Sequence, residues 1–114
     1  MIIDTHCHAG RNWFQPIETL EFEMNQSGVD GAVLIQHGGT YNNDYLFEEA
    51  GKRNDRFKVV VMLDPADQDP IGTLEKLAEQ GAAGVRLGPD VKFDVLSDIT
   101  EFRRKTGELG LVVS

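Results

Sequence analysis

The sequence predicts an α/β fold, a parallel sheet of about five strands joined by crossover helices, and three observations carry that prediction. Apolar runs suited to strands begin near residues 1, 29, 57, 82 and 110. Apolar stripes at helical spacing fill the intervals, so a βα unit recurs every 25 to 28 residues. The inner runs are apolar almost throughout, as in strands buried on both faces. Strict alternation of this kind means a parallel sheet with right-handed crossovers. Such a sheet is either an open doubly wound one, which five strands complete, or part of a (β/α)8 barrel, which takes ~250 residues. Periodicity leaves both open, although the open sheet would leave one face of its fifth strand without a covering helix.

The elements follow in order. The first strand runs from Met1 to His8, and Ala9 and Gly10 open it into a loop with Arg11 and Asn12. Trp13 and Phe14 continue that loop, as packing residues or as one wall of a pocket. Pro16 suits the first position of a helix whose stripe is Ile17, Leu20 and Met24, and Gly28 ends it. The second strand spans 29–36, and a second helix is expected over 43–53 with Leu46, Phe47 and Ala50 inward. Residues 57–63 form a third strand rich in β-branched side chains, which Asp64-Pro65 breaks. Asp69 before Pro70 starts a third helix with Ile71, Leu74, Leu77 and Ala78 on one face, and Gly81 closes it. The fourth strand is expected over 82–87, its small residues permitting close approach of neighbouring backbones. A fourth helix over 98–106 opens with Asp98 and Glu101 in a capping-box arrangement, with Arg103, Arg104 and Lys105 toward its carboxyl end. Residues 109–114 begin a fifth strand.

At 114 residues the chain reads as one domain, 1–114, long enough for an ordinary core. No apolar run approaches the length of a membrane span, and the amino terminus lacks the basic start of a signal peptide, so a cytoplasmic location without membrane association is the expectation. A net charge of −8 argues against binding a nucleic-acid backbone, which needs clustered Lys and Arg. The single cysteine, Cys7, excludes an internal disulfide and reads as a small buried apolar residue.

The chemistry starts at His6 and His8. Side chains alternate along a strand, so both imidazoles point the same way and can hold one ion between them. Neutral imidazole is a common ligand for zinc and similar divalent ions. Asp4 shares their parity and would lie one layer below on the same face, as a ligand-orienting acceptor or as a cap for backbone donors. Asp64 reads as the initiator of the turn with Pro65. His37 ends the second strand near the same mouth, either as an exposed loop residue or as a substrate contact. Gly38-Gly39 lacks the spacing and lysine of a phosphate loop.

Taken together, Ile3-Asp4-Thr5-His6-Cys7-His8, residues 27–34, Asp55-Arg56-Phe57, Leu63-Asp64-Pro65, Gly84-Val85-Arg86-Leu87 and residues 109–113 form an ordered series. In that series the chain resembles the amidohydrolase-related (amidohydrolase 2) family of metal-dependent hydrolases, whose members include lactonases and nonoxidative decarboxylases. A phosphodiesterase-like or DNase-like branch shares the His-x-His opening but is matched less well after the second strand. The resemblance implies the amino-terminal half of a TIM-type barrel with a divalent metal ion, zinc by preference, at the carboxyl ends of its strands. It makes His6 and His8 two of the ligands and implies that Arg86 binds a substrate carboxylate through its forked guanidinium. An ion pair of Arg86 with Asp4, Asp64 or Asp90 is the structural alternative. The family's further ligands, and the Asp that serves as general base, come from later strands than these 114 residues contain. The expected function is therefore that of the amino-terminal part of a metal-dependent hydrolase or nonoxidative decarboxylase acting on a small carboxylated substrate. The rival is a noncatalytic half barrel that pairs with another copy and keeps at most a weak metal site.

Overall fold

In the computed structural model, which describes residues 1–11, 14–88 and 91–114, five parallel strands lie side by side in the order in which they occur in the chain. They are β1 (Ile3–Cys7), β2 (Gly31–Ile35), β3 (Phe57–Val61), β4 (Gly84–Val85) and β5 (Val112–Val113), with α1 (Ile17–Ser27), α2 (Asp44–Gly51), α3 (Pro70–Glu79) and α4 (Thr100–Glu108) as the crossovers. Sequential order without reversal is barrel topology. A doubly wound sheet reverses direction at a switch point, and this one curls as half a barrel.

The strand alternation divides the sheet into two faces. Ala32, Leu34, Phe57, Val59, Val61 and Val85 join Ile17, Met24, Leu46, Leu74 and Phe102 of the helices in one buried cluster. The alternate residues, Val33 beside Lys58 and Ile35 beside Val60, line the concave face. Gly84 is needed where β4 meets β5, because a Cβ there would stand 2.5 Å from the Val112 carbonyl oxygen.

Local chemistry sets the helix ends. The chain leaves α1 through Gly28 in the left-handed region at φ 73°. The Asp69 side chain caps α3 by accepting from the Gly72 N–H, with Pro70 in the first turn. Two expectations need correction. α4 begins at Thr100, two residues late, because the Asp98 carboxylate accepts from the Thr100 N–H and makes a tight turn ahead of the helix, so no capping box forms. β4 and β5 are also shorter than the apolar runs at 82–87 and 109–114, since the irregular segments flanking them leave only two residues of each in the ladder.

On the convex side, Arg53 joins α1 to α2. Its Nη1 is 2.7 Å from Glu49 Oε2, and its Nε is 2.8 Å from Glu21 Oε1, although the N–H is not well directed at that oxygen. Arg56 adds contacts to Glu21 and to the Asn25 side chain. Among the described residues no helix is long and apolar enough to cross a membrane.

Candidate functional site

The site is assembled at the carboxyl ends of β1, β2 and β4. β1 does not run as a regular strand: its register against β2 shifts between Asp4 and Cys7. Of the two roles expected of Asp4, it takes that of a cap for backbone donors: its carboxylate accepts from the His6 backbone N–H at 3.0 Å and from the Cys7 thiol. Both bonds, the backbone one foremost, hold the Asp4 carboxyl below its ordinary range. Burial, with the neighbouring carboxylate adding to it, pushes the Cys7 thiol up to about 12, so Cys7 is a protonated, buried side chain in the helix-facing cluster.

With Cys7 facing the helices, His6 and His8 lie on the opposite side of β1. Their ring centroids are 5.0 Å apart and nearly perpendicular. His8 Nδ1 lies 2.6 Å from the Ile35 carbonyl oxygen of β2. A carbonyl only accepts, so Nδ1 is the donor in this contact, and Nε2 is the ring nitrogen left for an ion. The ring is also fixed in plane, stacked on Phe14 at 4.7 Å. A ligand histidine needs this arrangement, one nitrogen tied to an acceptor and the other free to coordinate.

Phe14 also meets His37, with centroids 5.0 Å apart, so one aromatic ring separates two histidines. His37 is half-buried, and its Nδ1 lies 3.3 Å from Thr40 Oγ1. It lines a polar cleft of about 480 Å³ together with Arg11, Gln36, Asn42 and Tyr45. Trp13, expected beside Phe14 as a pocket wall, lies outside the described residues.

Arg86 points away from the helix-facing Val85 and reaches across β3, its Nη1 donating to the Gln36 carbonyl at 3.0 Å. Of its three alternative ion-pair partners, Asp90 lies outside the described residues, and Asp4 and Asp64 make no salt bridge with it. Asp64 initiates a turn, accepting from the Ala66 N–H. Arg86 therefore uses one of its five donors on the main chain at the mouth.

Two supporting residues were not singled out from the sequence. Gln36 is buried; its side chain donates to the Asn42 carbonyl and accepts from the His37 N–H. Asn43 is buried too, and its amide pairs with both the carbonyl and the N–H of Met62, continuing β3 beyond its last ladder residue. Together they pin the 36–43 loop that carries His37. A polar side chain closing an apolar run was the available signal for Gln36, whereas nothing local marks Asn43.

The donor set fits part of a metal centre: two imidazoles on one side, one with a defined coordinating nitrogen. Among the described residues no group of three His, Cys, Asp or Glu side chains gathers to complete it, and a catalytic zinc takes three protein ligands.

The fold has clear counterparts among solved structures. A protein of Acinetobacter baumannii, provisionally assigned as a 2-pyrone-4,6-dicarboxylic acid hydrolase and crystallised with citric acid bound, superposes with a TM-score of 0.75 at 22% identity, over 98% of this chain and 48% of its own. A protein of Pseudomonas putida with the same provisional assignment gives 0.64 at 22% identity, over 97% and 55%. A ligand-free protein of Agrobacterium tumefaciens gives 0.68 at 16% identity, over 98% and 46%. The chain thus spans about half the length of the structures it matches and corresponds to the amino-terminal half of their TIM barrel. No family model matches the sequence, and no curated protein matches it significantly.

Proposed function

We propose that this chain is the β1-to-β5 portion of an amidohydrolase-related enzyme that hydrolyses or decarboxylates a small carboxylated substrate. In this reading His6 and His8 contribute two ligands to a divalent ion, zinc by preference. The observation that carries it is the His8 ring, tied through Nδ1 to the Ile35 carbonyl and held flat on Phe14, so that Nε2 is presented beside His6. When bound, the ion would supply Lewis acidity at the strand ends.

The remaining chemistry belongs to the protein's own groups. Arg86 has donors beyond the one engaged with Gln36 and orients a substrate carboxylate at the mouth. His37, across Phe14 from His8, contacts the substrate from the second strand end. The small polyacid class is supported by the citric acid held by the Acinetobacter neighbour and by the dicarboxylate in the provisional assignment of two neighbours. A general base and the remaining ligands would come from outside these 114 residues.

Calorimetric zinc titration and cobalt absorption of the wild type, set against the His6→Ala/His8→Ala double variant, test the reading. The wild type should take up the ion with at least ~10-fold higher affinity, the scale at which ligand environments matter. Equal affinity in the two proteins, with unchanged circular dichroism, would remove the histidine pair as a ligand set.

A further inference from the structure

We infer that Gln36 is a positioning residue for Arg86, its side chain fixing the peptide plane whose carbonyl holds the guanidinium in register with the two histidines. This rests on the reading of Arg86 as the group that binds a substrate carboxylate.

Two successive peptide units close β2, and each holds one group of the site. The first, between Ile35 and Gln36, turns its carbonyl to His8 Nδ1 at 2.6 Å and its N–H to the Val60 carbonyl of β3 at 2.9 Å. The second, between Gln36 and His37, turns its carbonyl to Arg86 Nη1 at 3.0 Å. Its N–H points the other way, as a planar trans peptide requires, toward the side where β1 pairs with β2 only as far as Cys7 opposite Leu34. There the Gln36 side chain takes the place of a ladder carbonyl, its Oε1 accepting from the His37 N–H at 3.1 Å.

The side chain is itself tied down. Its Nε2 donates to the Asn42 carbonyl at 3.0 Å, and the residue is only 3% exposed. Both ends of the amide are engaged by main chain, and in a rigid plane a fixed N–H fixes the carbonyl opposite it. Without the amide, the 36–37 peptide loses the bond that sets its rotation, and the acceptor for Arg86 turns with it. The 35–36 peptide does not depend on that side chain, because the ladder between β2 and β3 holds it. One substitution therefore separates the two halves of the site: the grip on a carboxylate weakens while the ion ligands stay in place. A residue that merely filled space would weaken both.

Gln36→Met keeps the length of the side chain and removes both amide bonds. Calorimetry with citrate as the probe on metal-free protein, and a separate zinc titration without citrate, read the two halves. Citrate affinity should fall about tenfold, the scale of one hydrogen bond to a charged group, while zinc affinity stays within about twofold of the wild type, well short of the loss expected from disturbing a ligand's supports. Arg86→Met should lower citrate affinity too. The double variant should lose far less than the product of the two single losses, because one residue acts through the other. Hydrogen exchange gives a reading without ligand: the His37 amide should lose protection about tenfold while the amide of residue 36, bonded to Val60, keeps its own. Should that variant fail to fold, Gln36→Asn, one methylene shorter, makes the same comparison. Equal losses of citrate and zinc affinity, a full product in the double variant, or citrate affinity that responds to Arg86→Met but not to the Gln36 change would overturn the inference and leave Arg86 its role. Citrate uptake indifferent to Arg86→Met, or no uptake by the wild type, would instead remove Arg86 as the carboxylate-binding group, and the inference with it.

Discussion

In the middle of the sheet Leu34 and Val61 have no exposed surface, whereas at its margins Ile3 and Val113 keep about half of theirs, 48% and 47%. All four are aliphatic residues in parallel strands, so composition does not account for the difference. β2 and β3 have a strand on each side and helices across one face, while β1 and β5 each have a single neighbour. Burial here belongs to a strand's position in the sheet, and the same kind of apolar run is core or exposed margin according to what lies beside it.

Truncation at the centre should break the molecule most. Leu34→Ala leaves a cavity among Val59, Val61 and the helix-facing cluster and should cost about 3 kcal/mol in urea unfolding. Ile3→Ala at the margin should cost under about 1 kcal/mol in dilute solution, since much of that side chain is already in water. Should the two lose equal stability, the contrast between centre and margin would be wrong.

The same contrast explains what was legible in the sequence. Apolar periodicity located all five strands and four helices, including β1 and β5, whose apolar residues stay largely exposed. It left sheet architecture open, since an open sheet and half a barrel share one βα pattern, and the sequential strand order decides between them. The common orientation of His6 and His8 followed from strand alternation, whereas alternation could not choose between the two roles open to Asp4, which its bond to the His6 N–H decides. Arg86 meeting the Gln36 carbonyl and Asn43 meeting Met62 are contacts between residues 50 and 19 positions apart. Side chains that bond to main chain leave no complementary residue type in the sequence to point to them.

A smaller perturbation isolates one margin. Gly84→Ala would press a Cβ against the Val112 carbonyl oxygen, and backbone atoms yield less readily than side chains. A loss of about 2 kcal/mol is expected, concentrated at β5. Hydrogen exchange resolves it: the Val112 and Ser114 amides, which donate to β4, should lose protection at least tenfold while the Gln36 amide, bonded to Val60, keeps its own. Uniform loss of protection would mean that β5 is as integral to the fold as β2.

The smallest effect concerns how the helix beside the exposed β1 margin is held. α1 is joined to α2 through Arg53 as well as by packing, and Glu49, only 10% exposed at its side chain, accepts from Arg53 Nη1 at 2.7 Å. That bond chiefly, opposed by burial, holds the Glu49 carboxyl below its ordinary value of 4.5. A carboxyl depressed on folding stabilises the folded chain above its unfolded value, and the contribution disappears as pH falls through the depressed one. Glu49→Gln should therefore cost about 1.5 kcal/mol at neutral pH, the scale of a hydrogen bond to a charged group. The gap between wild type and variant should close as pH falls below 4.5. A gap that stays constant through that range would assign the loss to packing of the side chain, and α1 would then be held by the same means as the centre of the sheet.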